Sequence, residues 1–202
     1  SITMPLKGLA LEICDELDDV ATRTGSVNSM MMRDGRLYGR SFDGDGFVNA
    51  VRGEFGADLG GAHVVVLGAG GAARGIVDGL VRADVASVAV HGRTESKVEE
   101  LVSKHQNVYD FSLTYRPVDL IVNTTPIEGR FVEAAVIQGV GSHTVAVDIT
   151  YEPRTSPWRA LHDAAGCRTG NGLAMLAYQA ALQMQWWWNV PLDAAKLLEI
   201  IA

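Results

Sequence analysis

Three glycines in the stretch "VVVLGAGGAARG" carry the first chemistry of this sequence. Gly68 permits a tight turn, and Gly70 lets the backbone approach a pyrophosphate closely. A helix starting near Gly71 would offer unpaired N–H groups and a positive dipole end to that anion. Ala73 fills the third small position of the fingerprint. The spacing alone is common, and a glycine turn with no ligand would look the same. Its place between an apolar strand and a helix favours a dinucleotide. Such a site holds the ribose 2′-hydroxyl of NAD with an acid about twenty residues on. This chain has "VAVHGRTESK" there, with the cations Arg93 and Lys97, the hydroxyl of Thr94, and Glu95 only inside the following helix. A carboxylate repels a 2′-phosphate, whereas a guanidinium clamps one. NADP is therefore expected over NAD, with ordinary solvated charges as the plainer alternative.

A second set is scattered. Lys7 closes the opening heptapeptide "SITMPLK", and Asp43 stands in "FDGDGF". A lysine ammonium can stabilise an oxyanion and hand over a proton, although an ordinary lysine holds its proton too tightly for easy turnover without a tuned environment. Lys7 also reads as a first-turn surface lysine, and Asp43 as a turn residue. The acidic run places Glu54 at the twelfth position from Asp43, but Phe47 and Val48 fill the centre where a calcium loop needs ligands. Asn28 alone reads as a turn former. His63, His91, His105, His143 and His162 lack metal-ligand spacing.

The elements that would position these residues follow from periodicity. Residues 8–19 read as a helix with Leu9, Ile13 and Leu17 on one face. "MMMRDGRLYGRSF" reads as a hairpin around Asp34-Gly35, and residues 43–58 as a helix weakened by Gly44, Gly46, Gly53 and Gly56. Strands then alternate with helices: "AHVVVLG", the helix after the glycines, "VASVAVHGR", a helix capped by Thr94, a weak strand near 108–113, "VDLIVNTTP", "HTVAVDIT", a helix near 157–165, and "CRTG". This alternation implies parallel βαβ units and a doubly wound sheet. The last long helix follows Asn171 as N-cap, with Leu173, Leu176, Ala177, Ala180, Met184 and Trp187 as its apolar stripe and Gln179 on its flank. The triple tryptophan reads as packing, and Pro191 opens a short final helix.

Composition narrows the function classes. The 202 residues are 48% hydrophobic and 20% charged, which suits a globular core. A net charge of −7 argues against nucleic acid or an anionic membrane as partner. Cys14 and Cys167 cannot build a disulfide framework. The sequence reads without a charged-then-apolar leader or an apolar span of about 20 residues, so neither is expected. The expected setting is cytoplasmic.

Eight segments now fall in the order and approximate spacing of one family: "SITMPLK", "GSVNSM", "FDGDGF", "GAGGAAR", "GRTESK", "VNTTPIEG", "DITYEP" and "GLAMLAYQA". Across nearly its whole length the chain resembles the shikimate dehydrogenases. The resemblance implies an NADP oxidoreductase of aromatic amino acid biosynthesis that interconverts 3-dehydroshikimate and shikimate. It implies an α/β fold with a doubly wound, Rossmann-type parallel sheet and a smaller α/β substrate domain, N-terminally incomplete, because the family carries a strand–helix segment ahead of this motif. Residues 1–43 and 172–202 would form the substrate domain, and 44–171 the dinucleotide-binding domain. Core surface exposed by a missing segment would favour self-association; monomer and homodimer both stay open.

Carried over by position, Lys7 and Asp43 match the family's catalytic pair. Thr3, Asn28, Tyr151 and Gln179 match contacts to a cyclohexene carboxylate substrate. Gly68, Ala69, Gly70, Gly71, Ala72 and Arg74 match the phosphate loop, and Arg93, Thr94 and Lys97 the NADP clamp. Asn123, Thr124 and Gly172 follow the cofactor crevice. Two departures stand out: Ser41-Phe42 replaces an Asn-Thr pair before Asp43, and Gly92 replaces an asparagine before Arg93. A bulky Phe42 beside the acid points to an altered pocket. Quinate or an amino analogue as substrate, a non-catalytic NADP-binding fragment, and another nicotinamide enzyme such as a methylenetetrahydrofolate dehydrogenase are the competing readings.

Overall fold

A computed structural model describes residues 1–111, 117–125 and 139–202. The first expected helix is divided. Helix α1 spans Lys7–Ile13, strand β1 Glu16–Leu17 and helix α2 Asp19–Thr24. Two acids cause the break. The Asp15 N–H donates to Leu37 O at 2.8 Å, and its carboxylate accepts the Leu37 N–H at 2.7 Å, which draws the chain into a sheet. Asp18 then caps α2 by accepting the Ala21 N–H. The expected stripe is also corrected: Leu9 and Ile13 are each 54% exposed, and Ala10 is the buried residue of α1.

Strands β2 (Ser29–Arg33) and β3 (Arg36–Arg40) form the expected hairpin. Asp34 and Gly35 both take positive φ, 51° and 75°, as a tight turn matched to strand twist requires. β1 adds to β3 in parallel and completes a three-stranded sheet. Helix α3, Asp43–Phe55, leaves this sheet. Its glycines permit close packing: a Cβ on Gly46 would sit 2.7 Å from that of Gln179.

The second sheet is parallel throughout. It comprises β4 (His63–Leu67), β5 (Ser87–His91), β6 (Val108–Asp110), β7 (Leu120–Asn123), β8 (Val145–Asp148) and β9 (Arg168–Asn171), in the order β6-β5-β4-β7-β8-β9. Helices α4 (Gly71–Arg82), α5 (Glu95–Ser103) and α6 (Pro157–Ala164) follow strands of this doubly wound arrangement. One face buries Val64, Val66, Val88, Val90 and Val122 with Phe47 of α3 and Ile76 of α4. The other buries Val65, Leu67 and Ile121 against Trp158. Strands covered on both faces explain the unbroken β-branched runs. The ends of two expected strands, residues 112–113 and Pro126, lie outside the described residues, as do Ile127, Glu128 and Gly129 of the quoted "VNTTPIEG" segment.

The long C-terminal helix α7, Gly172–Trp188, begins at the Asn171 cap. Its buried residues are Gly172, Ala174, Met175, Ala177, Ala181 and Gln183, so only Ala177 survives from the expected stripe. The α3 glycines bring the helices close, with Gly46 against Gln179 and Gly53 against Tyr178, and the residues buried on α7 are mostly small. Helix α8, Ala194–Ile201, is capped by Asp193 rather than opened by Pro191. No helix among the described residues is long and apolar enough to cross a membrane.

Candidate active site

Lys7 opens α1 and Asp43 opens α3, and the fold brings their side chains together. Lys7 Nζ lies 2.5 Å from Asp43 Oδ2, with side chains 15% and 2% exposed. The other oxygen, Oδ1, accepts from Asn28 Nδ2 at 2.9 Å. Asn28 is 2% exposed and lies just ahead of β2; its Oδ1 accepts the Phe42 N–H at 3.0 Å, and its Nδ2 also reaches Gln179 Oε1 at 3.4 Å. Three elements therefore converge on one carboxylate. Both its oxygens are engaged, so it is held in place, and the ammonium keeps donors for a further acceptor.

The phosphate loop faces this pair. Gly68 has φ +113° at the end of β4, where a Cβ would land on Thr124 Oγ1. Thr124 donates that hydroxyl to Leu67 O at 2.7 Å, which locks the loop after β7 to the one after β4. These two strands flank the point where the strand order reverses, the crevice in which such sheets bind nucleotides. Gly70 is the N-cap of α4; it offers no side-chain cap, and a Cβ on it would meet nothing within 4 Å. Gly70 thus leaves the first N–H groups of α4 without a side-chain cap, an arrangement that suits an anion. A Cβ built on Gly71 would be 3.6 Å from Lys7 Cδ, so the lysine stem crosses the first turn of α4. Arg74 donates to Gly25 O at 3.2 Å, while its buried Nε has no partner among the described residues.

Arg93, Thr94 and Lys97 sit at the start of α5, exposed, and among the described residues neither cation joins an ion pair. Thr94 occupies the N-cap position without a side-chain cap bond. A Cβ on Gly92 would lie 3.0 Å from Val98 Cγ2 of α5 and 3.5 Å, an ordinary contact, from Ala69 Cβ, so this position borders both α5 and the glycine turn. An open glycine turn, a free helix N-terminus and unpaired cations beside it fit a phosphorylated dinucleotide.

A cleft of about 790 Å³ joins the two halves. Lys7, Asp43, Thr3, Tyr151 and Gln179 line it together with Gly70, Gly71, Ala72, Arg74, Thr124 and Gly172. A Cβ on Gly172 would collide with the Ile149 carbonyl, so only glycine lets α7 start there. Asn28 lies beneath the wall, held to Asp43. Gly68, Ala69, the Arg93 group and Asn123 are outside the cleft wall; Asn123 is buried below it, against Asp148.

The family pattern described as Shikimate / quinate 5-dehydrogenase matches residues 50–155. The NADP⁺-dependent shikimate dehydrogenase of Geobacillus kaustophilus is 32% identical over 212 residues, covering 100% of this chain and 76% of its own. The chain belongs to the shikimate dehydrogenase family. The shikimate 5-dehydrogenase of Thermus thermophilus, solved in complex with NADP(H) and shikimate, superposes with a TM-score of 0.85 at 31% identity over 98% of this chain and 75% of that one. A ligand-free 5-ketofructose reductase from a Gluconobacter strain superposes with a TM-score of 0.82 at 28% identity, over 99% of this chain and 77% of that one.

Within the shikimate dehydrogenase family frame, one expectation is corrected. Phe42 does not enter the cleft. Its ring packs 5.9 Å from that of Trp186 on α7, and the Arg40 guanidinium lies 5.0 Å over the same indole. The departure from the family pattern therefore ties α3 to α7. Sequence reasoning missed Asp148, Thr125 and Thr150. The repeated pattern of Asn123-Thr124-Thr125 and Asp148-Ile149-Thr150, a polar residue two before a threonine at a strand end, was the available signal.

Proposed function

We propose that this chain reduces 3-dehydroshikimate to shikimate with NADPH, and runs the reverse with NADP⁺. The observation that carries the reading is a single cleft whose walls hold the Lys7–Asp43 pair and the open phosphate loop together. When bound, the nicotinamide supplies the hydride. Lys7 donates a proton to the carbonyl oxygen as negative charge grows there, and takes it back from the alcohol in the reverse direction. Asp43 accepts from the same ammonium and fixes where it points, while Asn28 fixes Asp43. Thr3, Tyr151 and Gln179 offer the hydroxyl and amide groups that a polyhydroxylated ring carboxylate needs. Gly70, Gly71 and Ala72 of the α4 N-terminus receive the pyrophosphate, and Arg93 and Lys97 the 2′-phosphate. Residues 1–43 with 172–202 act as the substrate domain, and 44–171 as the nucleotide domain. Cytoplasmic residence belongs to the same reading, supported by two free thiols.

A substrate panel tests this. With NADPH, turnover of 3-dehydroshikimate is expected to exceed that of 3-dehydroquinate or 5-ketofructose, and NADPH is expected to outperform NADH. Turnover of 5-ketofructose alone would transfer the reading to the activity named for the Gluconobacter relative; NADPH binding with no turnover of any ketone would reduce the chain to a nucleotide-binding module.

A further inference from the structure

Beneath the cleft wall, two loops leave the sheet by the same device. Asn123 ends β7, Asp148 ends β8, and the two are partners in register. Asn123 Oδ1 accepts from the Thr125 N–H at 3.1 Å and the Thr125 hydroxyl at 2.7 Å. Asp148 Oδ1 accepts from the Thr150 N–H at 3.1 Å and the Thr150 hydroxyl at 2.8 Å. The two turns are then joined, because the same Asp148 oxygen accepts from Asn123 Nδ2 at 3.2 Å. Its second oxygen accepts the Ser156 hydroxyl at 2.6 Å, and Ser156 Oγ in turn accepts the Arg159 N–H as the cap of α6.

Asp148 is 2% exposed, and among the described residues no cation pairs with it. Burying a carboxylate is costly unless its lone pairs are filled, and here four donors fill them. A neutral side chain would cap either turn alone. A carboxylate has acceptor capacity on both oxygens, so it can bind both turns and α6 at once. The two loops matter because Thr124, Thr125, Thr150 and Tyr151 line the cleft. They stand on the β7–β8 side of the strand-order reversal, whereas Arg93 stands on the β5 side. A dinucleotide with its pyrophosphate at α4 and its 2′-phosphate near Arg93 must place its other half against the β7–β8 loops.

We infer that Asp148 is a positioning residue that fastens these two loops into one wall at the nicotinamide end of the cleft. The inference rests on the dinucleotide reading above. It acts through Thr125 and Thr150, without touching substrate.

The test compares NADPH with 2′,5′-ADP, which carries the adenosine 2′-phosphate half and no nicotinamide. In Asp148→Ala, NADPH Kd is expected to weaken by about tenfold and kcat to fall by a similar factor, as for a misplacement of the reacting groups. The Kd of 2′,5′-ADP should stay within about twofold. Asp148→Asn keeps the carbonyl that holds Asn123 and Thr150 but loses the acceptor for Ser156, so it should fall between wild type and alanine; it also serves if the alanine variant fails to fold. Equal weakening of both ligands, or of neither, overturns the role of Asp148. A wild-type chain that binds neither ligand would overturn the dinucleotide reading itself, and this inference with it.

Discussion

Every polar atom of Asn28 is in use. Its side chain serves Asp43, Gln179 and Phe42, and its backbone meets Arg40 O, the Ile2 N–H and Gln183 Nε2. Asn28→Asp would turn two donated bonds into oxygen–oxygen contacts beside a buried carboxylate. The expected result is a loss of about 2 kcal/mol in urea unfolding and a fall of about a hundredfold in kcat. Unchanged kcat in a folded variant would remove Asn28 from the site. From its own residues Asn28 reads as a turn former and from resemblance as a substrate contact; its bonds to Asp43 and Phe42 exist only where separate segments meet. Lys7 and Asp43 were illegible for the same reason and came from resemblance. The strand–glycine turn–helix at Gly68–Gly71 was legible directly, since its glycines, its strand and its helix are local in sequence.

At the scale of elements, glycines that weakened the α3 reading turn out to place it. A Cβ on Gly79 would lie 2.7 Å from the Gly44 carbonyl carbon, and one on Gly75 would lie 2.9 Å from Asp43 Cβ. The α3–α4 crossing thus sets Asp43 against the helix that carries the phosphate loop. Gly79→Ala forces backbone apart and is expected to cost about 1–3 kcal/mol by urea unfolding. Gly8→Ala, in α1 where a Cβ meets nothing within 4 Å, should be neutral or stabilise by up to about 1 kcal/mol. A Gly79 variant as stable as wild type would mean the crossing yields without strain. Sequence periodicity misplaced the α7 stripe because it assumes that large apolar residues mark the buried face. Here Gln179 and Tyr178 cover the α3 glycines Gly46 and Gly53, and the small Ala174, Ala177 and Ala181 are buried.

For the whole molecule, ionic links tie α4 to α2 and α3. Asp78 on α4 pairs with Arg23 of α2 and Arg82, and Arg82 reaches Asp45 of α3. Burial alone would raise the Asp78 carboxyl, but the two guanidinium partners outweigh it and hold it low. Its contribution is present above the ordinary carboxylate range and is lost only in strong acid. Two histidines govern a milder window. Burial lowers His162, against smaller opposing effects of the Trp158 carbonyl and Asp163, and burial also lowers His105. The unfolded chain takes up protons near about pH 6.5 that these folded sites resist, so their contribution to stability is complete above that pH and declines as pH falls. His162→Phe, which keeps a ring beside Trp158, is expected to lower Tm less steeply from about pH 7 to about pH 5 than wild type; identical slopes would clear His162. None of these long-range pairings was visible in the sequence, where Arg23 and Asp78 were two charges among many, while the doubly wound sheet was visible from strand–helix alternation alone.

The most direct measurement is Lys7→Ala with NADPH and 3-dehydroshikimate, reading kcat and NADPH affinity separately. The expected result is a fall in kcat of about 10²–10⁴-fold with NADPH Kd within about threefold of wild type, since the lysine acts on the substrate oxygen while the glycine turn holds the cofactor. A variant that keeps its kcat, or that loses cofactor affinity as much as rate, would contradict Lys7 as the proton donor.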